Sequence, residues 1–306
     1  MKTAALGKSG IEAPAVISGC MRMNRLDKKQ AAAYIEACIE YGINYFDHAD
    51  IYGKGSCEEL FGEALAMTAV KREQIILQSK CGICPGKMYD FSEEYIVKSV
   101  EGILKRLRTD YLDVLVLHRP DALMEPEEVA AAFDKLEAEG KVRYFGVSNH
   151  RATQIELLKK CVKQEIQVNQ LQFGVSFSNM IASGMEVNMT TAGAADRDGG
   201  ILEYCHLKDI TVQAWSPFQA GDQSGIIIGN PNYPELNLAL EEIGQRYGIS
   251  ATASAAAWVL RHPASIQLVS GTMNLKRLEE IARAADIRLT REEWYRIYLA
   301  GGHILP

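Results

Sequence analysis

The stretch DKKQAAAYIEACIEYGINYFD, residues 27–47, contains one unit of the pattern that decides the fold. Asp27 is a typical helix N-cap, and the apolar positions after it recur with helical spacing on one face. Gly42 is placed to end this helix, and residues 44–46 form a short apolar run of strand type. The stretch therefore predicts a helix that leads directly into a β-strand.

The same alternation continues along the whole chain. Ser92 precedes a second amphipathic run, and Thr290 with Glu293 predicts a capping box that opens a last, extra C-terminal helix. Eight strand candidates separated by helical stretches predict a (β/α)8 TIM barrel, although an open, doubly wound α/β sheet would give similar local patterns. The strand candidates are residues 15–19, 44–46, 75–78, 113–117, 144–147, 167–169, 211–214 and 266–269.

Three further expectations concern the organisation of the chain. Residues 2–15 have glycines on either side of Lys8 and Ser9 and predict an N-terminal hairpin that closes the barrel floor. Residues 174–200 are rich in small and polar residues and are expected to form a long irregular loop over the mouth of the site. Because no linker interrupts the pattern, we predict a single domain over residues 1–306.

Composition bears on partners and location. The chain has 33 basic and 39 acidic residues and a formal net charge of −6, which argues against a nucleic acid or an anionic membrane as its partner. No signal peptide or membrane-spanning apolar run is evident. The seven cysteines are an odd number scattered over the chain, which is typical of reduced thiols rather than of a disulfide framework, so a cytoplasmic protein is expected. The oligomeric state is left open.

One cysteine pair has the spacing of a redox or zinc motif. Cys81 and Cys84 are separated by two residues, but no second ligand pair occurs at suitable spacing, so we expect no metal site. Because Cys81 directly follows Lys80, we expect its thiol to lie beside the pocket and to react with thiol reagents.

Polar or aromatic residues stand where most of the predicted strands end. In a parallel barrel these ends open on one face, where active sites are found, so residues far apart in sequence would meet in one pocket. Each residue alone is more often structural or solvated, and only their coincidence predicts a site. They are Asp47, Lys80, His118, Ser148 with Asn149, Gln170, Trp215, and Gly271 with Thr272.

These residues lie in motifs that resemble those of the aldo-keto reductase superfamily, and the resemblance runs through essentially the whole chain. The C-terminal segment DIRLTREEWY, residues 286–295, is similar to that of a bacterial oxidoreductase branch. The matching motifs are GINYFDHADIYG (42–53), Lys80, LVLH (115–118), GVSN (146–149) and VNQ (168–170). The residues that match the family's catalytic tetrad are Asp47, Tyr52, Lys80 and His118.

The resemblance implies reduction of an aldehyde or ketone to an alcohol by hydride transfer from a nicotinamide cofactor. Tyr52 would donate the proton to the carbonyl oxygen, and the Lys80 ammonium would lower the pKa of its hydroxyl from about 10. Asp47 would hold Lys80 charged and in place. His118 would hydrogen-bond the carbonyl oxygen and orient the substrate.

At the nicotinamide end, the resemblance implies three polar contacts and one stacking contact. Residues matching Ser148, Asn149 and Gln170 bind the carboxamide in the family, and an aromatic residue matching Trp215 stacks on the ring. Trp215 as a simple core residue is the alternative. The Ser216-Pro217 step after it is expected near the pyrophosphate.

At the adenosine end, Arg277 and Thr272 suit a 2′-phosphate and predict NADP(H). Many family members carry a lysine where Gly271 stands, so NAD(H) is the alternative. Glu280 is expected to contact the adenine.

Two other functions stay open. In the first, the chain is a barrel lyase in which Lys80 acts as a Schiff-base nucleophile, and this chemistry requires a desolvated, neutral amine. The chain would otherwise serve as a non-enzymatic, cofactor-binding regulatory subunit. For a reductase, the partner is a small carbonyl compound whose identity depends on Met21, Arg22, Met88, the 174–200 segment and residues 218–232.

Overall fold

The first predicted helix begins at its capping residue in the computed structural model of the chain, which describes residues 1–222 and 224–305. The Asp27 carboxylate accepts a hydrogen bond of 2.8 Å from the Gln30 backbone N–H, and the Gln30 side chain accepts one of 3.0 Å from the Asp27 N–H. Gly42 follows the helix with φ +78°, a left-handed conformation that favours glycine. The predicted beginning and end of this helix are confirmed.

The other two predicted helix starts are also confirmed. Ser92 accepts a hydrogen bond from the Tyr95 N–H, and Thr290 forms the predicted capping box with Glu293. The α-helices are α1 Lys28–Glu40, α2 Ser56–Leu65, α3 Glu93–Leu107, α4 Pro126–Ala138, α5 Ala152–Leu158, α6 Asn179–Met185, α7 Ile201–Leu207, α8 Pro234–Tyr247, α9 Ala251–Leu260, α10 Leu275–Ala284 and α11 Arg291–Ala300. Short 3-10 helices span Met23–Arg25, Tyr52–Gly55, Arg72–Gln74 and Ala192–Ala194.

Eight of the twelve described strands are parallel and close into a barrel, in which each strand pairs with the next barrel strand along the chain. The strands are β1 Thr3–Ala5, β2 Glu12–Pro14, β3 Val16–Gly19, β4 Tyr45–Asp47, β5 Ile76–Cys81, β6 Ile83–Cys84, β7 Met88–Tyr89, β8 Leu112–Leu117, β9 Val142–Ser148, β10 Ile166–Gln172, β11 Thr211–Trp215 and β12 Gln267–Ser270. The ring order is β3, β4, β5, β8, β9, β10, β11 and β12, which pairs again with β3. This closure confirms the (β/α)8 TIM barrel and excludes the open sheet.

Several barrel strands extend further than the sequence predicts. Lys80 and Gln170 lie within β5 and β10 rather than after them, because their backbones still pair with Val116 and Gln213. Polar side chains interrupt the apolar pattern at these ends without interrupting the ladder of hydrogen bonds. The last strand residues of β4, β9 and β11 are Asp47, Ser148 and Trp215.

The N-terminal hairpin of β1 and β2 closes the barrel floor, as predicted. Leu6 is fully buried among inward-facing apolar residues of the barrel strands. The Gly7 N–H donates to Thr211 Oγ1 and the Lys8 N–H to Gln167 Oε1, both at 2.7 Å. Gly7 has φ +53°, and a Cβ there would lie 2.7 Å from the Gln167 carbonyl oxygen, so glycine is required.

The 174–200 segment differs from the prediction. It contains α6 and a 3-10 turn, and α6 buries Met180 and Ile181. Its start packs against the C-terminal residues, since the His303 Nε2 atom lies 2.8 Å from the Val175 carbonyl oxygen and 2.7 Å from Ser178 Oγ. The prediction is wrong at residues 179–185, whose apolar side chains form a packed helix, and wrong in placing the segment over the site, since none of its residues lines the described cavity. Most of residues 186–200 is irregular, as predicted.

No helix in the described part of the chain is long and apolar enough to cross a membrane.

Candidate active site

A buried ion pair stands at the C-terminal ends of β4 and β5. The Lys80 Nζ atom donates to both carboxylate oxygens of Asp47 and to the His48 carbonyl, each at 2.7 Å. Burial alone would lower the pKa of Lys80, but the Asp47 carboxylate raises it, and the pKa lies above its ordinary value. Lys80 is therefore charged at neutral pH, which disfavours the Schiff-base lyase.

Tyr52 brings a hydroxyl to the same ammonium. It begins the turn after β4, and its oxygen lies 3.2 Å from Lys80 Nζ. Burial raises the pKa of Tyr52 more than Lys80 lowers it, so this pKa lies above its ordinary value. Lys80 lowers the pKa of Tyr52, as expected, but burial outweighs this effect of the charge. The hydroxyl is protonated at neutral pH and is suited to donate.

His118 follows β8 and faces Tyr52. The centroids of the two rings are 6.1 Å apart and the ring planes are nearly perpendicular, at 83°. Burial and the positive charges of Lys80 and Arg119 lower the pKa of His118 to about 3. His118 is therefore a neutral imidazole at physiological pH, with one N–H to donate.

These side chains lie at the floor of a cavity of about 700 Å³ on the C-terminal face of the barrel. Lys80 lies below the floor, fully buried. The predicted site residues that line the cavity are Asp47, Tyr52, His118, Ser148, Asn149, Gln170, Trp215, Ser216, Pro217, Gly271, Thr272 and Arg277.

The sequence of the chain also matches the model of a known protein family. The model of the Aldo/keto reductase family matches residues 15–298, which include the eight barrel strands and the four tetrad positions. The chain belongs to the aldo/keto reductase family. The chain is therefore an NAD(P)H-dependent oxidoreductase, as the resemblance implied.

Known aldo/keto reductases and related oxidoreductases resemble the chain over nearly its full length. An uncharacterized oxidoreductase of Bacillus subtilis, YcsN, is 36% identical over 95% of both chains. A 6-dehydroglucose reductase of Agrobacterium fabrum is also 36% identical, over 87% of this chain and 86% of its own. The crystal structure of an aldo-keto reductase from Klebsiella pneumoniae in complex with NADPH superposes with a TM-score of 0.78 at 25% identity, over 97% of this chain and 94% of that one.

Three predicted contacts of this aldo/keto reductase lie outside the cavity lining, namely Glu280, Met88 and the 174–200 segment. The Glu280 carboxylate accepts a hydrogen bond of 2.9 Å from Ser250 Oγ at the start of α9, so its contact with adenine stays a prediction. Met88 lies exposed on β7. The predicted substrate contacts that do line the cavity are Met21, Arg22, Phe218, Gln219, Ile226 and Ile228.

A connected set of polar side chains forms the wall that the nicotinamide would meet. Trp215 Nε1 donates to Asn149 Oδ1 at 3.2 Å, and Asn149 Nδ2 donates to Ser148 Oγ at 2.7 Å. Ser148 Oγ in turn donates to the Gln170 carbonyl at 2.8 Å. Trp215, Asn149 and Ser148 are thus linked through their side chains, and Gln170 contributes its backbone carbonyl.

The neighbouring part of the cavity wall, at the end of β12, fits the phosphates of a dinucleotide. The buried Ser270 Oγ has no hydrogen-bond partner among the described residues. Arg22 Nη1 donates to the Gly271 carbonyl at 3.0 Å, and a Cβ at position 271 would lie 2.7 Å from the same nitrogen. Glycine thus leaves room for the guanidinium. With Arg277 on the same wall, these groups offer positive charge and a hydroxyl to anionic oxygens.

Sequence reasoning missed a layer of buried glutamines below Asp47. Gln78 Nε2 donates to Asp47 Oδ1 at 2.6 Å and to Gln213 Oε1 at 2.9 Å, and Gln170 Nε2 reaches both oxygens at 3.2 Å. The Tyr45 hydroxyl links Gln78 and Gln213 by bonds of 2.8 and 3.1 Å. The available signal was the two-residue period of β5, which places Gln78 on the same inward face as Lys80.

Cys81 and His48 point away from the cavity. Cys81 follows Lys80 in β5 and therefore faces the helices, where burial raises the pKa of its thiol well above the ordinary value. The expected reactivity of this cysteine is wrong. The fully buried His48 packs edge-on against Phe61 at 4.7 Å and contributes its carbonyl, rather than its ring, to the site.

Proposed function

We propose that this aldo/keto reductase converts an aldehyde or ketone to the alcohol with NADP(H), and that Tyr52 is the proton donor. The observation that carries the proposal is the contact of one buried ammonium, Lys80, with both the Asp47 carboxylate and the Tyr52 hydroxyl at the cavity floor. The 6-dehydroglucose reductase of Agrobacterium fabrum and the NADPH-bound aldo-keto reductase of Klebsiella pneumoniae, both similar to this chain, support this class of reaction.

The bound dinucleotide would supply the hydride to the carbonyl carbon, and the residues of the chain would manage the charge on the carbonyl oxygen. The Tyr52 hydroxyl gives its proton to that oxygen. The Lys80 ammonium stabilises the resulting phenolate, and Asp47 keeps the ammonium in place. The neutral His118 donates a hydrogen bond to the same oxygen and orients the carbonyl.

The nicotinamide would lie against Trp215, with its carboxamide held by the preformed polar groups of Ser148, Asn149 and Gln170. Gln170 uses its amide nitrogen for Asp47, so its amide oxygen is the atom left for the carboxamide N–H. The same glutamine thus connects the cofactor to the tetrad.

The preference for NADP(H) over NAD(H) would come from Arg277, because a guanidinium binds a phosphate through a planar pair of hydrogen bonds. An Arg277→Met variant should bind NADPH about tenfold or more weakly, since a charge-assisted hydrogen bond contributes roughly 1.5–3 kcal/mol. Its affinity for NADH should be nearly unchanged. Equal losses for both cofactors would contradict this role.

The first experiment follows NADPH absorbance with a panel of aldehydes, ketones and sugars. Tyr52→Phe should lower kcat by about 10²–10⁴, the usual contribution of a general acid, while NADPH binding persists. Tyr204→Phe is the matched control, because this hydroxyl bonds to Glu156 on the outside of the barrel. NADPH binding without turnover by the wild type would instead favour the regulatory subunit.

A further inference from the structure

The cavity is unusually basic for this chain. The protein carries a net charge of −6, yet four arginines line the cavity. Among the described lining residues, Asp47 is the only acidic one, and its charge is already balanced by Lys80. An excess of positive charge therefore faces the space where ligands bind. The arginines are Arg22, Arg25, Arg119 and Arg277.

The arginines divide between the two sides of the barrel mouth. Arg22 and Arg25 follow β3, and Arg277 lies near the start of α10, directly after β12. Arg119 follows β8, which is the fourth strand from β12 in either direction around the ring. Arg119 therefore lies opposite the wall that fits the phosphates of the dinucleotide, and those phosphates do not account for it.

Arg119 has no partner of opposite charge among the described residues. None of the ion pairs among the described residues includes it. Its guanidinium carbon lies 5.7 Å from the centre of the Trp215 ring, a cation–π distance that holds the side chain over the cavity. A half-buried guanidinium held in this way keeps its hydrogen-bond donors available for a ligand.

The neighbours of Arg119 place it beside the reacting atoms. It directly follows His118, whose ring faces Tyr52, and the carbonyl oxygen would sit between these two side chains. Trp215, under the guanidinium, is the ring against which the nicotinamide would lie. A group bound by Arg119 would thus belong to the same small molecule as the carbonyl.

We propose that the substrate is a carbonyl compound that carries an oxyanion, a carboxylate or a phosphate, and that Arg119 binds this group. The inference rests on the proposed reductase function and adds the chemical class of its substrate. The fork of guanidinium N–H groups matches the paired oxygens of either anion. Of the residues that follow β8, the family motif indicates only His118.

The test compares matched substrates that differ in their charge. Succinic semialdehyde is paired with butanal, and glyceraldehyde 3-phosphate with glyceraldehyde, so that the two pairs distinguish a carboxylate from a phosphate. In the wild type, the anionic member of at least one pair should have a kcat/KM about 10- to 100-fold higher, the size expected of charge-assisted hydrogen bonds.

Arg119→Met should remove most of this preference through KM for the anionic member and leave the neutral member nearly unchanged. Arg119→Lys, which keeps the charge but not the planar fork, should retain part of it. Arg25→Met is the matched control, because this arginine lines the same cavity on the cofactor side. Its ratio of anionic to neutral kcat/KM should equal that of the wild type.

The inference is overturned if the wild type reduces the neutral members as well as the anionic ones. It is also overturned if Arg119→Met slows both members equally, or if Arg25→Met removes the preference to the same degree. Thermal unfolding and NADPH affinity of each variant establish that the fold and the cofactor site are retained. Failure of the wild type to reduce any of the four compounds or the wider carbonyl panel would reject the reductase function itself.

Discussion

Replacing Lys80 by methionine would isolate the electrostatic part of the proposed mechanism. Methionine has a similar length and no charge, so Lys80→Met removes the ammonium without opening a large cavity. Three groups lose a donor in this variant. They are the Asp47 carboxylate, the His48 carbonyl and the Tyr52 hydroxyl.

The size of the effect follows from the distances. A unit positive charge 3.2 Å from a phenolate contributes about 5 kcal/mol at an effective dielectric constant of about 20. Asp47 opposes this effect because its carboxylate raises the pKa of Tyr52. A net loss of about 2–3 kcal/mol, in the range of one charge-assisted hydrogen bond, is therefore expected in the transition state. That loss corresponds to a decrease of about 30- to 150-fold in kcat.

The assay measures kcat for carbonyl reduction and the pH dependence of the reverse alcohol oxidation, in which Tyr52 must be deprotonated. Because Lys80 lowers the pKa of Tyr52, its removal should raise that pKa further and move the ascending limb of the profile, where activity rises as Tyr52 loses its proton, to higher pH. Lys163→Met serves as the control, since this lysine is 68% exposed and pairs only with Asp134 among the described residues. A wild-type kcat with an unshifted limb in Lys80→Met would refute the electrostatic role.

Stability is the remaining variable in this experiment. Breaking a buried ion pair by removing one partner costs about 3–5 kcal/mol of unfolding free energy, because the other charge stays buried. The double variant Asp47→Asn with Lys80→Met removes both charges and should regain part of that stability. Its activity should stay low. Recovery of activity along with stability would mean that Lys80 acts only on folding.

Three other predictions concern positions outside the tetrad. Gln78→Leu should lower kcat with little change in KM, because it removes the 2.6 Å hydrogen bond that orients Asp47. Steady-state kinetics that show a higher KM and an unchanged kcat would contradict this role. Asp113→Ala removes the acceptor of Arg72 at 2.8 Å near the barrel floor, so chemical denaturation should show a loss of about 2–3 kcal/mol while kcat per folded molecule is unchanged. Burial lowers the pKa of His48 to about 3, so the folded state resists its protonation, and this histidine alone should reduce stability by up to about 1.4 kcal/mol per pH unit below about 6.5. His118 and His150, with pKa values of about 3 and about 4, add to the same slope. His48→Phe should therefore make the slope measured by thermal unfolding shallower by one such contribution, and an unchanged slope would contradict this.

The fold was predictable because its signals are local. Asp27 and Thr290 mark helix starts through side-chain hydrogen bonds with residues three positions later, and such bonds do not depend on distant parts of the chain. The convergence of the tetrad was predictable from the strand order alone. The packing of residues 174–200 was not, because it depends on contacts with His303, more than one hundred residues away.

Electrostatic quantities were less accessible from the sequence than positions. The motif correctly indicates that Lys80 lowers the pKa of Tyr52, but the net shift depends on how deeply the hydroxyl is buried, and only the folded structure gives that. Arg119 is a similar case. An arginine after a strand is usually a solvated surface residue, and only the ring of Trp215 and the absence of a carboxylate partner among the described residues distinguish it.

The glutamine layer explains how the barrel interior can change from an apolar floor to a charged site within a few residues. A catalytic carboxylate inside a barrel needs donors around it, and an apolar layer below Asp47 would supply none. The side-chain period of two places Tyr45 below Asp47 and Gln78 below Lys80, facing the same interior. Each glutamine amide both donates and accepts. Gln78 and Gln213 can therefore bind each other and Tyr45, and Gln78 can also bind the Asp47 carboxylate, with hydrogen bonds of 2.6–3.1 Å. The tetrad is therefore held by the layer beneath it as well as by its own ion pair, and substitutions in that layer should change catalysis without any contact with substrate.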